Sequence, residues 1–423
     1  MGRVSYREDL RLLKKRRFAA LCAARTMSML AAAFTPVALA FGVLDLPGAT
    51  ASTLSTVLAF QAMAGVLFLL VGGVVADRLP RSWVLLVAEL SNFVVWMSMG
   101  LMLVLGWAPI WALCAGAALS GMVAGLLHPA LAGIVPDLVE REDLQAANSL
   151  LALGANIARL AGLVSAGMVV VWVGGGWALI GASTLFAIAA VLISTLARRT
   201  SAVERDSSSS VIAELREGWG EFRSRQWLWV VVLQFAFLVM ALQATWAVLG
   251  PVVAKAELGG ARTWSWILAA DALGMVLGVV LAMRLRPSRP ILVGVIGTLS
   301  GALMPICLAL SAPLWLCLVA AFVQGVSFDV FGVLWQTTMQ REVPPEALSR
   351  VASYDALGSM MFGPIGILVA GGAAVWIGPH QALLWCGILS ILTTLGALCS
   401  PEVRQLRAPA EALDDVKLPE IIG

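Results

Sequence analysis

Six ionisable side chains stand inside stretches that are otherwise apolar: Arg25, Glu89 and Arg159 in the first half of the chain, and Asp271, Asp329 and Asp355 in the second. A charge at the centre of a bilayer costs about 2.5 to 3.5 kcal/mol on insertion scales, so each needs a reason to be there. A carboxyl group held in hydrocarbon can take up a proton and so answer to a proton gradient, while an arginine can hold an anionic group or act as a counter-charge. The competing reading is structural pairing, with two cations opposite four anions. Gln61, Gln234, Gln243 and Gln324 add uncharged polar contacts in the same stretches. A second charged feature is the turn from Gly72 to Ser82, which sets Asp77, Arg78 and Arg81 between two long apolar segments. Orientation of the chain in a membrane explains the arginines but not the acid, so the turn is a candidate hinge.

The elements that must position these groups follow from composition. Of the 423 residues, 60% are hydrophobic and 13% charged, against about 25% charged in soluble domains. This is an integral membrane protein. A span needs about 20 apolar residues, and twelve candidates are centred near residues 30, 63, 94, 120, 158, 186, 238, 272, 299, 325, 361 and 390. Continuous apolar runs of this length form helices rather than barrel strands. The first run follows Arg3, Arg7, Arg11, Lys14, Lys15, Arg16 and Arg17 and is too long for a cleaved leader, so it is expected to remain as the first span. With the N-terminus inside, 24 of the 28 Lys and Arg fall in cytoplasmic segments, Lys255 and Arg262 fall outside, and Arg25 and Arg159 lie within spans. That bias puts both termini in the cytoplasm. The net charge of +3 is its by-product and gives no argument for nucleic acid. Cys22, Cys114, Cys307, Cys317, Cys386 and Cys399 have no CxxC spacing, and His128 and His380 stand alone, so no metal site or disulfide is expected.

The expected organisation is a basic N-terminus (1–17), a six-helix bundle (18–197), a linker (198–226), a second six-helix bundle (227–400) and a cytoplasmic tail (401–423). The linker contains Ser207 to Ser210 and then an amphipathic stretch from Val211 to Arg225, with Ile212, Leu215, Trp219 and Phe222 on one face, suited to the membrane surface. The halves repeat. A shift of 204 lays Gly121 over Gly325, Leu144 over Leu348, Gly154 over Gly358 and Gly162 over Gly366, and a shift of 206 lays Gly72 over Gly278 and Arg78 over Arg284. Six plus six spans with internal repeats is a transporter architecture, with substrate bound near the midplane. Trp107, Trp111, Trp172, Trp177, Trp264 and Trp266 at outer ends and Trp83, Trp227 and Trp229 at inner ends form aromatic belts. Trp246 and Trp335 could instead stack a ligand.

The run Gly73-x-Val75-Ala76-Asp77-Arg78-x-Pro80-Arg81-Ser82 resembles the G-x-L-A-D-R-x-G-R-K loop of the major facilitator superfamily, with Val, Pro and Ser as departures. Pro129 to Val139, leading to Leu144-Gln145-Ala146-Ala147-Asn148-Ser149, is similar to the segment after the fourth span in the branch of enterobactin exporters and macrolide efflux pumps. The resemblance implies an all-α fold of twelve spans in two pseudo-symmetric bundles. It implies a conformational latch of Gly73, Asp77, Arg78, Arg81 and Asp137, in which Asp77 caps the eleventh span and Arg81 pairs with Asp137. A carboxylate at a helix N-terminus gains about 0.3 to 2 kcal/mol, weak enough to break in each cycle. The second-half copy, Arg284 to Arg289, lacks the acid. The G-x-x-x-G-P motif of drug/proton antiporters is degenerate here: Leu163 replaces the proline, while Gly162 and Gly167 keep a small packing surface.

In that fold the first, fourth, seventh and tenth spans line the cavity. This makes Asp329 the leading proton-coupling candidate, with Asp271 and Asp355 behind it, and Arg25, Gln234, Gln243, Trp246, Gln324 and Arg159 the candidate substrate contacts. Glu89, on a peripheral helix, reads as structural. No catalytic residue, metal or cofactor is expected, only a proton gradient, a small-molecule substrate and the bilayer of a bacterial inner membrane, around a monomer. An apolar cavity with few charges suits a bulky amphipathic solute better than a sugar. Proton-coupled efflux is the first reading, an uptake permease or facilitator the second, and a non-transporting receptor a remote third. Tyr354-Asp355 mimics half of an intramembrane aspartyl protease signature, but no Gly-x-Gly-Asp partner exists.

Overall fold

A computed structural model describes residues 10–78, 81–134, 138–140, 143–196 and 219–407. Among these every regular element is helical, as a backbone in hydrocarbon requires, since each N–H and C=O must find its partner within the segment. In chain order the main helices are α1 (Arg16–Leu44), α2 (Ala51–Arg78), α3 (Arg81–Val104), α4 (Ile110–Ile134) and α5 (Leu144–Ser194). They continue with α6 (Gln226–Gln243), α7 (Gly250–Glu257), α8 (Ala261–Ala282), α9 (Pro290–Gly297), α10 (Leu303–Ala309) and α11 (Leu314–Glu342). The last are α12 (Pro345–Met360), α13 (Gly363–Trp376), α14 (Pro379–Leu398) and α15 (Pro401–Gln405). Pro290, Pro345, Pro379 and Pro401 each open a helix, where the missing N–H costs nothing.

Ten helical segments among the described residues are long and apolar enough to cross a membrane, with a shorter apolar one at Ile110–Gly125. The difference from the twelve expected has a local cause in α5. At 51 residues it would run about 76 Å if straight, more than twice a hydrocarbon core. Gly174 breaks it, with φ 83° and ψ 161°, a backbone region that is essentially glycine-only. The fifth and sixth runs are therefore two helical stretches that meet at a sharp kink at Gly174. Another irregularity is the wide π turn Ala244–Leu249 between α6 and α7.

The chain forms two compact units. The first contains Met1–Asp206 together with Trp246–Ala269 and Ile367–Pro379, and the second Ser207–Thr245, Ala270–Gly366 and His380–Gly423. Each is knitted by glycines that let backbones touch. In the first, a Cβ on Gly121 of α4 would meet Gln61 of α2 at its carbonyl carbon, 2.9 Å away, and Gly65 N at 3.0 Å. In the second, a Cβ on Gly325 of α11 would meet Asp271 of α8 at its carbonyl carbon, 3.0 Å away, and Met275 N at 2.9 Å. The two crossings are the same contact made twice. They equate Gln61 with Asp271 and Gly65 with Met275, both 210 positions apart, one helical turn from the shift of 206 read along the charged loop.

The core of the second unit is aromatic. Trp227 meets Trp335 edge-on at 5.3 Å, Trp335 stacks on Phe331 at 5.8 Å, and Phe331 stacks on Phe235 at 4.5 Å. The described end of the linker helix joins this core. Trp219 and Phe222 stack at 5.5 Å and both lie against Tyr354; Phe222 is buried in the same cluster, while Trp219 stays about half exposed.

Candidate functional site

In the first unit the polar centre lies between α1 and α3. Glu89 is 3% exposed. Its carboxyl group lies beside Ser28 and Arg25 of α1, the latter acting on it electrostatically. Arg25 and Ser28 are three residues apart and share one face of α1. Arg25 thus has a charge partner within its own unit. Arg159, on α5, is exposed along its helix. Trp246, in the π turn, tilts against Trp264 at 5.6 Å, and its indole Nε1 is buried with no hydrogen-bond partner.

The same unit holds a seam where segments distant in sequence meet. Lys255 of α7 pairs with Asp45, just past the end of α1, at 2.6 Å, and its ammonium also donates to the Leu44 carbonyl. Gly167 of α5 is pressed on Ala261 and Ser265 of α8: a Cβ there would lie 2.5 Å from Ser265 Oγ and 2.8 Å from the Ala261 carbonyl carbon. Gly371 of α13 sits on α2, where a Cβ would fall 2.6 Å from Ser55 Cβ and 2.8 Å from Ser52 Cα. Gly162, the partner of Gly167 in the degenerate glycine motif, faces α1 instead, 2.6 Å from Ala33 Cβ on the same measure. The motif's two glycines therefore serve two different helix contacts. The ion pair is partly exposed on both sides, so its own contribution is at most about 1 kcal/mol. The close backbone approach at the glycines is what shapes the seam.

In the second unit Gln234 of α6 donates through Nε2 to Thr298 Oγ1 at 2.8 Å and Thr394 Oγ1 at 3.1 Å. Both hydroxyls spend their own protons on carbonyls, of Val295 and Ser390 respectively. This fixes the amide orientation, because only the NH2 end of Gln234 can satisfy two acceptors. The other end, Oε1, has no partner, and the residue borders a crevice of about 480 Å³ between α6 and α14. Gln324 is likewise buried with its Oε1 unmatched, and Gln243 is exposed beside Gly363.

The second-unit carboxylates separate into two settings. Asp355 of α12 accepts from Trp335 Nε1 at 3.0 Å and from Ser359 Oγ at 3.3 Å, so each oxygen has a donor. Trp335, read from sequence as a possible ligand stack, is committed instead to Asp355 through its N–H and to Trp227 and Phe331 through its ring. Asp329 lies on the α8/α11 crossing, its Cβ 3.0 Å from where a Cβ on Gly278 would stand. Asp271 is seven residues before Gly278 on α8, about 10 Å along the axis. The crossing holds both residues one after the other, without bringing them side by side.

The latch expected of Gly73, Asp77, Arg78, Arg81 and Asp137 lies outside what is described: Asp137 wholly, and the other four in their side chains. Among the described residues no group of three His, Cys, Asp or Glu could hold a metal ion. Two arrangements escaped the sequence, the Asp45–Lys255 pair and the setting of Glu89. The signal for the second was present, since two charges of opposite sign stand at matching depth in the first and third spans.

A family model described as "Transmembrane secretion effector", of the major facilitator type, matches residues 9–419. Among curated proteins, the chain is 24% identical over 348 residues to the uncharacterized MFS-type transporter YvqJ of Bacillus subtilis, covering 80% of this chain and 78% of that one. It is 26% identical over 409 residues to the enterobactin exporter EntS of Escherichia coli, covering 93% and 95%. Among solved structures, the nucleoside transporter NupG superposes with a TM-score of 0.73 at 14% identity, covering 90% of this chain and 98% of that one. A bacterial homologue of the lysosomal transporter Spinster, inward-facing and unoccupied, superposes with a TM-score of 0.66 at 14% identity, covering 96% and 100%. At such identities these structures share the fold.

Proposed function

The chain belongs to the transmembrane secretion effector family of major facilitator transporters, and from that premise we propose that it exports a drug-like, antibiotic or siderophore-like small molecule in exchange for protons, by alternating access. The observation that carries this reading is the seam in the first unit. Segments from both sequence halves meet there through glycines and one weak ion pair, a contact tight enough to exclude solute and cheap enough to open in each cycle. Export rather than uptake is supported by the likeness to EntS over nearly the whole chain. Proton coupling is supported by the carboxyl groups inside the spans, Asp271, Asp329 and Asp355. Arg25, Gln234, Gln243, Trp246, Gln324 and Arg159 are the proposed contacts for the substrate. Asp77, Arg78, Arg81 and Asp137 are the proposed latch on the cytoplasmic side, where the Lys and Arg distribution also puts both termini. The protein is proposed to act as a monomer in the bacterial inner membrane.

The test is accumulation of a panel of amphipathic compounds by everted membrane vesicles, energised and then treated with an uncoupler. Accumulation that collapses with the uncoupler is the expected result. Accumulation indifferent to it would make the protein a facilitator, and no protein-dependent flux across a broad panel would favour a receptor on the same scaffold.

A further inference from the structure

We propose that the first half carries a proton-exchange site of its own, in which Glu89 on α3, set against Ser28 and Arg25 on α1, takes up and releases a proton as the protein cycles. Its use in export rests on the proton-coupled reading above; the site itself does not.

Three observations support it. Glu89 lies eight residues into α3 and Arg25 nine into α1, about 12 and 13.5 Å from the helix starts, so both stand in hydrocarbon rather than at the rim. Glu89 is buried, its neighbour Ser28 is buried and uncharged, and its Oε2 has no hydrogen-bond partner. A buried carboxyl group kept for structure has both oxygens satisfied, because a bare charged oxygen in low dielectric is costly. Asp355, with neutral donors Trp335 and Ser359 on its two oxygens, fits that pattern, and Glu89 does not. A proton on Oε2 removes the charge that this setting serves poorly.

Among its surroundings, Arg25 is the charge that acts on the carboxyl group. From α1 the titratable neighbours are Arg25 and Cys22. The helix α5 has Arg159 as its one charged residue, and α4 has no charged residue, only Cys114 and His128 as titratable groups. Proton and guanidinium therefore compete for the same carboxyl group. A small shift of α1 along α3 that brings Arg25 into contact releases the proton to water, and the reverse shift readmits it. Coupling follows because the proton state of Glu89 and the packing of α1 on α3 cannot change independently.

The experiment uses the full chain purified into proteoliposomes, with infrared difference spectra taken between acid and alkaline buffer. A protonated-carboxyl C=O band that bleaches on alkalinisation is expected in the wild type, in Asp329→Asn and in Asp355→Asn. It should be lost in Glu89→Gln and displaced in frequency in Glu89→Asp. Arg25→Gln should move the pH at which the band bleaches. The proposal is overturned by a band that survives Glu89→Gln in protein with wild-type melting, by one unmoved in Glu89→Asp should the glutamine variant not fold, or by a bleaching pH untouched in Arg25→Gln. Flux indifferent to the proton gradient together with loss of the band in Glu89→Gln would sink proton-coupled export and leave the site standing.

Discussion

Gly371→Val is expected to lower transport by about 10- to 100-fold while leaving the protein folded and abundant in the membrane. A side chain at this position in α13 would enter the space of Ser55 and of the α2 backbone at Ser52. Overpacking of this kind costs about 1 to 3 kcal/mol, and each 1.4 kcal/mol is a factor of ten in a conformational equilibrium. A contact that must close once per cycle then closes in a small fraction of molecules. The reason to expect folding to survive is that the other limb of the cycle never makes this contact. Flux per folded molecule is the readout, with melting temperature and chromatographic profile as controls. Wild-type flux in Gly371→Val would show that the seam is not part of the cycle, and loss of folded protein would show that it is static core.

The opposite outcome is expected at Gly325. A valine there would drive its side chain into the backbone of α8 at Asp271 and Met275, and backbone cannot rotate away as a side chain can. The expected cost exceeds about 3 kcal/mol, a large share of the 5 to 15 kcal/mol by which a domain is held together. Little folded Gly325→Val should be recovered, and what is recovered should melt well below wild type. Gly121→Val, at the equivalent crossing of α4 on α2, should fail in the same way. If either variant accumulates and melts like wild type, the two crossings are not the fixed frame of their units. The pair of results separates glycines that build a unit from glycines that let a seam open, a distinction invisible in the glycine itself.

The parts of this fold that a reader could take from the residues are those encoded locally. Apolar runs of span length fix a helical membrane protein, and the match of Gly121 with Gly325 at a shift of 204 points to a repeat whose physical content is the same backbone contact in both halves. Register is harder, since apolar helices tolerate a slip of one turn without changing composition, and the 206 shift along the charged loop slipped by that amount from the crossing at Gln61 and Asp271. The sharpness of the bend in α5 was hidden for a similar reason. The run Gly174-Gly175-Gly176 suits a loop between two spans as well as a tight kink, and only the backbone at Gly174 shows that a single residue makes the change of direction.

Side-chain partnerships were the least legible. Trp335 looked available for a ligand because nothing nearby in sequence marks Asp355, Trp227 and Phe331 as its neighbours. Arg25 read as a candidate substrate contact, while the structure sets it against Glu89 across two helices of its own unit. Lys255 and Asp45 are 210 residues apart in turns that read as ordinary topology charges.

Central to the account is that substrate movement out of the cell and proton movement into it are one process. The most direct measurement follows the internal pH of acidified everted vesicles with a lumenal dye when a transported compound is added outside. Substrate entry should raise the lumenal pH in wild-type vesicles, and the same addition should do nothing in vesicles carrying Gly371→Val. Accumulation of the compound with no accompanying change in lumenal pH would contradict the account.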